Sequence, residues 1–598
     1  MKHSKKIWLS LISFISVVAI LGGSLIYKST HGYKPNFYNY KSYISKHNRE
    51  VVSQKLQYTV FNEINEFNTA LINNKTVGGI GSDFQVAALV KQGYLAKINY
   101  SKLFDMPELE EKDYETALKT VMSPAIWEHI NSYDAYLNEN NTSKPIHLWE
   151  YFYPYYSQDA TITYNTKKAR NNDSFAQITE QDLENNLATI NNPLGIKDAY
   201  SMFNILNTLS KNGYTHLYLT DALRDNLLYG SAYKVVTPEQ GNTIIRSDKE
   251  FSGKVLRENY KSLINDFRDL IKDSFNQSIN DSQHITFKGD GLEMLTTVLD
   301  PKQPLAQMAI MYNGDALDSY YSSDNFTDVE EGTVDVIKPS KNILLVDGLV
   351  INKNIKEENQ DRIYSSLNSA FYKNHSLVYK QMIKNKINKQ QAFLKVASEI
   401  YQDFINDFIS AKIQELDEQI AKTQDQDSLE KLKQRREILN KSNIEKLVTN
   451  LTKNYQVDYS YQNPFALKLF QENNDLLAYA QAILGEDDVE LLARIFSIIH
   501  FDRLEKDQTN YLKEKYSNLN NFDLINYTPT NDLEYILFRN NYFVDYETGE
   551  IDEKARYIYT IDFEKDKNNP NFAHAAIEPI DRQLLSDVNT YYYEVTKN

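Results

Sequence analysis

The sequence predicts an α/β protein of more than one domain, and three observations carry that expectation. The chain has 598 residues, too many for a single compact core. Its composition, 41% apolar and 24% charged, is that of an ordinary globular chain. A short apolar strand followed by a helix start recurs four times, a pattern that builds largely parallel sheets. In such folds ligands bind where the strands end, so all four turns are expected to gather around one crevice.

The chain opens with MKHSKKIWLSLISFISVVAILGGSLIYKST. Lys2, Lys5 and Lys6 precede an uncharged stretch from Ile7 to Tyr27, long enough to cross a bilayer as a helix. The basic side is expected to stay in the cytoplasm and the rest of the chain to be exported. A cleaved signal peptide is the alternative, since a basic start and an apolar run fit that as well. The expectation is an anchor in residues 1–30, at the cell membrane, with the bulk of the chain extracytoplasmic. The chain has no Cys, which excludes disulfides, thiolate metal sites, Cys nucleophiles and a lipid-modified N-terminal Cys. The net charge of −16 argues against nucleic acid, whose phosphates need a basic surface.

The first strand-like segment is FYNYKSYI, Phe37 to Ile44. Next comes TVGGIGSDFQVAALV, a small-residue strand end with Ser82 or Asp83 placed to cap the following helix. HLYLTDALRDNLLYG, His216 to Gly230, repeats the arrangement with a Thr-Asp cap. In MAIMYNGDALDSYY, Met308 to Tyr321, the apolar run stops at Tyr312, Asn313, Gly314 and Asp315. The fourth unit is NILLVDGLVINKN with the helix after it. Asp347 lies inside that last apolar run, where an unpaired carboxylate costs several kcal/mol. No Lys or Arg lies within the run, so its partner comes from elsewhere in the fold or from a ligand.

Between Ser376 and Lys453 the composition changes. Ile409, Ile413, Leu416 and Ile420 follow helical spacing, the pattern breaks at Lys422 to Ser428, and Leu429, Leu432 and Leu439 resume it. A long helical hairpin is expected, either a solvated insertion packed on itself or a docking arm for a membrane partner. The segment Asp562 to Asn568 begins like a calcium loop but lacks the Gly at its sixth position and the Glu at its twelfth; it reads as a charged loop. No His-Glu-x-x-His, phosphate-binding Gly loop or Gly-x-Ser-x-Gly occurs, so no catalytic residue, metal ligand or cofactor is expected.

Taken in order, these segments resemble the spermidine/putrescine-binding component of bacterial ABC importers. FYNYKSYI is similar to that family's aromatic opening strand, and QGYLAKINYSKL to its Ile-Asp-x-Ser-Lys-Leu phrase. LYLTDALRD resembles Thr-Asp-Asp-x-Arg-Glu, MYNGDA a Trp-Asn-Gly strand end, and ILLVDGLVI a strand with a central Asp. INYTPTND resembles the Gly-Tyr-x-Thr-Pro-x-Asn hinge return, one residue short. The resemblance implies a two-lobed periplasmic-binding-protein-like fold of the type II kind: residues 36–165 and 341–375 form one lobe, 166–340 and 520–598 the other. Residues 376–519, the helical insertion, lie outside it.

The resemblance also implies a site. Polyamines need carboxylates for their ammonium groups and aromatic faces for their methylenes. Tyr40 and Tyr43 match the family's first aromatic pair and Ser82 a ligand-contacting Ser. Phe84 stands where the family has Tyr. Asp225 matches an acidic position; the other appears as Ala222, with Asp221 one residue earlier and open to a capping role. Tyr312 replaces a Trp, Leu345 another, and Asp347 matches the Asp that holds an amine. Glu578 lies near a Gln contact. The function implied is an extracytoplasmic receptor that captures a polyamine or other small cation and delivers it to the permease subunits. The alternative is a membrane-anchored interaction protein that keeps the fold and has lost or changed its ligand.

Overall fold

The computed structural model describes residues 34–61, 64–139, 144–169, 177–194, 196–236, 245–247, 251–289, 291–322, 329–330, 332–457, 464–501, 516, 518–561 and 571–597. The expected anchor and the acidic loop at 562–568 lie outside them. Among the described residues no helix is long and apolar enough to cross a membrane.

The strands are β1 (Asn36–Tyr40), β2 (Gln57–Phe61), β3 (Gly78–Ser82), β4 (Tyr153–Gln158), β5 (Ala160–Asn165), β6 (Leu217–Thr220), β7 (Lys234–Val236), β8 (Ile245–Ser247), β9 (Ile285–Lys288), β10 (Met308–Tyr312), β11 (Val334–Ile337), β12 (Lys341–Ile343), β13 (Leu345–Ile351), β14 (Thr528–Pro529) and β15 (Ala573–Ala575). They form two principal sheets, ordered β14-β4-β13-β3-β1-β2 and β11-β5-β10-β6-β9, with β12 and β15 pairing beside them. The first sheet's core includes Phe37, Ile80 and Val350, and the second's includes Ile162, Phe267 and Ile310. Two lobes with separate sheets are therefore present.

The sheets are mixed rather than mostly parallel. β1 pairs in parallel with β2 and β3, and β6 with β9 and β10. β4, β5, β11, β13 and β14 enter antiparallel. The parallel pairs belong to strand–helix–strand units, whose crossover returns the chain in the same direction. The antiparallel strands lie where the chain passes between lobes, and the passage sets their direction. One consequence corrects the expectation that four carboxyl ends meet: β13 runs against β3, so its carboxyl end, Ile351, faces Gly78 and its first half meets Ser82.

The first passage falls at Asp159, between β4 and β5, so residues 160–165 belong to the second sheet and not to the first lobe. The second runs from β11 to β13. Asp159 and Lys338 join the two passages by a buried ion pair, Nζ lying 2.9 Å from each carboxylate oxygen. Breaking one partner of such a pair typically costs 3–5 kcal/mol, roughly. The C-terminal segment is also divided: β14 joins the first sheet, while the helix Arg582–Lys597 contributes Leu584, Val588 and Tyr592 to the second core.

The insertion is helical as expected. After the short helix Leu377–Asn385 comes the long helix Lys389–Lys422; Asp425 caps the next, Gln426–Ile438, and Lys441–Asn454 packs back on the long one. It is not a free arm. Phe404, Phe408, Leu451 and Phe496 are continuous with the first lobe's core, Lys389 pairs with Asp532 at 2.8 Å, and Asn541 Oδ1 accepts the Ile499 N–H at 2.7 Å.

Candidate functional site

Asp347 sits in β13, between β3 and β4, with both faces of the strand buried. The register shifts immediately after it, between Asp347 and Gly348; such irregularities re-aim a side chain. Three neutral groups donate to its carboxylate: Ser82 Oγ to Oδ1 at 2.5 Å, and the Tyr43 hydroxyl and Gln158 Nε2 to Oδ2 at 2.8 Å each. Because the Ser82 proton is directed at Asp347, the Tyr40 hydroxyl, 2.8 Å from Ser82 Oγ, is the donor of that pair. The Tyr40 and Tyr43 rings meet edge to face, centroids 5.5 Å apart, an arrangement favoured by their quadrupoles.

Among the described residues no Lys, Arg or His lies within ion-pair distance of Asp347. Burial pushes its carboxyl up to about 6, with the neighbouring Asp83 charge adding to that, against the lowering pull of Ser82, Tyr43 and Gln158. The same burial, with the Asp347 charge, drives the Tyr40 and Tyr43 hydroxyls well above their ordinary value. Both rings are neutral donors.

Ser82 precedes the helix Asp83–Lys91, yet its side chain makes no cap bond; its hydroxyl serves Asp347 instead. Asp83 is fully buried and pairs with His129 Nε2 at 2.5 Å, while Oδ1 and Oδ2 accept the backbone N–H groups of Phe84 and Val346.

From the second lobe, Tyr312 ends β10 and donates to Asp225 Oδ2 at 2.5 Å. Asp225 is buried, in the first turn of the helix Leu223–Ser231. Burial pushes it up to about 6, and Tyr312, its own backbone N–H and Arg224 pull the other way. Arg224 reaches across to the first lobe, its guanidinium 4.2 Å above the Phe84 ring centroid. The Tyr133 hydroxyl, also from the first lobe, donates to the Ile577 carbonyl at 3.0 Å. These contacts hold the lobes together around the site.

The Asn-Gly pair does not form a turn; the helix Asn313–Tyr320 starts directly at Asn313. Buried Asn313 ties β10 to the first passage and to β14: its N–H donates to Asp159 O at 2.9 Å and its Nδ2 to Thr528 Oγ1 at 3.0 Å. Gly314 is required for space. A Cβ there would lie 1.9 Å from Tyr527 Cδ1. Tyr527 stands between the two halves of the site, its ring 5.9 Å from that of Tyr43 and its hydroxyl donating to Asp315 Oδ2 at 3.2 Å.

The structure thus brings Tyr40, Tyr43, Ser82 and Asp347 into one network, Tyr312 and Asp225 into another, and links the lobes through Phe84. Asp221 does not join them. It is exposed, pairs with Lys597 at 3.3 Å, and does not cap the helix, whose N-cap is Ala222. Its place one residue before the N-cap leaves its side chain outside both networks. Glu578 lies at the margin: its N–H donates to Gly253 O at 3.2 Å, and burial raises its carboxyl while Lys254 lowers it. Gln158 and Tyr527 escape sequence reading. Gln158 closes a Tyr-rich strand in a chain with 44 Tyr, where no pattern marks it. Tyr527 falls within the hinge phrase, which could have drawn notice to it.

A separate cavity of about 1030 Å³ borders Asp159, Tyr200, Lys338 and Arg556, and none of the nine predicted residues lines it. No cluster of three or more potential metal ligands occurs among the described residues.

No protein-family model matches the chain, and no curated protein matches its sequence. Among solved structures it is similar to the spermidine/putrescine ABC transporter substrate-binding protein of Streptococcus pneumoniae, at 14% identity and a TM-score of 0.33 over 56% of this chain and 77% of that one. A putative spermidine/putrescine ABC transporter protein of Listeria monocytogenes gives the same identity, coverage and score. The acarbose-binding GacH receptor of Streptomyces glaucescens gives 13% identity and 0.32 over 56% of this chain and 76% of that one. Overlaps this loose carry no argument about ligand or activity.

Proposed function

We propose that the chain is an extracytoplasmic solute receptor of an ABC importer, not an enzyme, that closes two lobes on a small amine of the polyamine class and presents it to permease subunits. One observation carries the reading: two buried carboxylates, Asp347 from one lobe and Asp225 from the other, have no ion-pair partner within the described protein. A buried charge without a counterion is costly, and an ammonium group between the lobes offsets that cost. The rings of Tyr40, Tyr43, Tyr312 and Tyr527 suit the methylenes and attract the cation. Closure then follows as a population shift, driven by contacts that exist only when both lobes meet. Export and membrane anchoring rest on the N-terminal sequence.

The second reading, an interaction protein without a ligand, draws on one fact: three donors already occupy the Asp347 carboxylate. Thermal unfolding of the full chain with spermidine, putrescine and neutral controls separates the two. At about a hundred times its dissociation constant a ligand adds roughly 2.7 kcal/mol of stability. An upward shift with an amine, abolished in Asp347→Asn, supports the receptor; no shift with any amine moves the weight to the second reading.

A further inference from the structure

Arg224 enters the site without an ion pair among the described residues; Asp225 and Asp83 act on it only at longer range. Among the described residues its side chain makes no hydrogen bond and no ion pair; its contact is the Phe84 ring at 4.2 Å. The nearby carboxylates are engaged elsewhere, Asp83 by His129 and two backbone N–H groups, Asp225 by Tyr312. Burial lowers the guanidinium to about 10 against the raising influence of Tyr133 and Asp225, so it is charged at neutral pH. The guanidinium is a planar fork of N–H donors, matched to a carboxylate by two parallel hydrogen bonds, and among the described residues none of its donors is engaged. A half-buried cation with unengaged N–H donors complements Asp347, which has no cation within ion-pair distance among the described residues.

We propose that the interlobe site takes a ligand bearing both an amine and a carboxylate, an ω-amino acid by class, its ammonium held by Asp347 and its carboxylate by Arg224. The proposal rests on the reading of the cleft as an amine site and narrows its ligand. A symmetric diamine would set a second cation against Arg224, whereas an aminocarboxylate neutralises both poles and leaves no like charges in contact.

The test is calorimetric titration and thermal unfolding of the full chain with 4-aminobutanoate, 6-aminohexanoate, putrescine and 1,6-diaminohexane. An aminocarboxylate is expected to bind more tightly than the diamine of matched length. In Arg224→Gln the ratio of the two affinities falls by on the order of ten- to a hundredfold, the worth of a charge-assisted hydrogen-bond pair, and Arg224→Lys recovers part of it. The unliganded melting temperature of each variant checks that it folds, and Arg224→Lys serves where Arg224→Gln does not. Binding of the diamines alone overturns the carboxylate assignment and leaves the amine site standing. Binding of neither class overturns both.

Discussion

The Ser82 hydroxyl donates to Asp347 Oδ1 at 2.5 Å across a separation of 265 residues, because the two residues are direct partners in the antiparallel pairing of β3 with β13. That register places a strand's buried carboxylate beside a helix-start serine whose own cap bond is unmade. Tyr43, 304 residues from Asp347, completes the arrangement.

The raised carboxyls make stability depend on pH. Asp347 and Asp225 sit at about 6 against an ordinary 3.8. A carboxyl raised by folding holds its proton more tightly in the folded chain, so the folded state is disfavoured as pH rises. The penalty is absent below the unfolded value, grows across the interval up to about 6, and is complete above it, amounting to on the order of a few kcal/mol per group. Urea unfolding from pH 4 to 7 is expected to show a steeper loss in the wild type than in Asp347→Asn. Parallel slopes would mean that Asp347 is ionised at no cost.

Binding of an amine should show the opposite trend. Ligand contact favours the ionised carboxylates, so affinity weakens as pH falls through about 6, and binding near that pH releases protons. Titration calorimetry in two buffers of different ionisation enthalpy reads the release directly. A proton count of zero at pH 6 would remove the carboxylates from the ligand contact.

Tyr312→Phe removes the hydroxyl that donates to Asp225 and leaves that buried carboxylate without its side-chain donor. A loss of roughly 1–3 kcal/mol in stability at neutral pH is expected, shrinking in acid as Asp225 takes up its proton. An equal loss at pH 7 and pH 4.5 would attribute the effect to ring packing alone.

Gly314→Ala tests the close approach of Tyr527. The added Cβ would overlap the ring, 1.9 Å from Cδ1, and Tyr527 must move away from Tyr43 and Asp315. Overpacking of this kind costs roughly 1–3 kcal/mol, and amine binding should weaken with it. The melting temperature and the affinity are measured together; a variant as stable as the wild type would show that the ring yields freely.

Much of this was legible in the sequence because it is local. An apolar run interrupted by Asp347, a strand ending in Tyr312, and 4-3-4 apolar spacing around Ile409 each identify an element from its own residues. So does the break at Lys422, where the long helix ends. The segments resembling a known family lead to seven residues that the structure brings around the lobe junction: Tyr40, Tyr43, Ser82, Phe84, Asp225, Tyr312 and Asp347. Asp221 stands apart from these seven because a shift of one residue at a helix start changes which way a side chain points, and spacing alone does not record that direction.

By itself the sequence determined that the chain alternates strands with helices, that a carboxylate lies inside a strand, and that a helical insertion interrupts the fold. Periodicity and local chemistry settle such matters within a few turns of chain. Only the tertiary structure decided that the sheets are mixed, that Gln158 donates to Asp347, that Tyr527 lies against Tyr43, and that Arg224 faces Phe84 with no ion pair among the described residues. Those outcomes depend on strand direction and register between segments hundreds of residues apart, and on which charges folding leaves without partners.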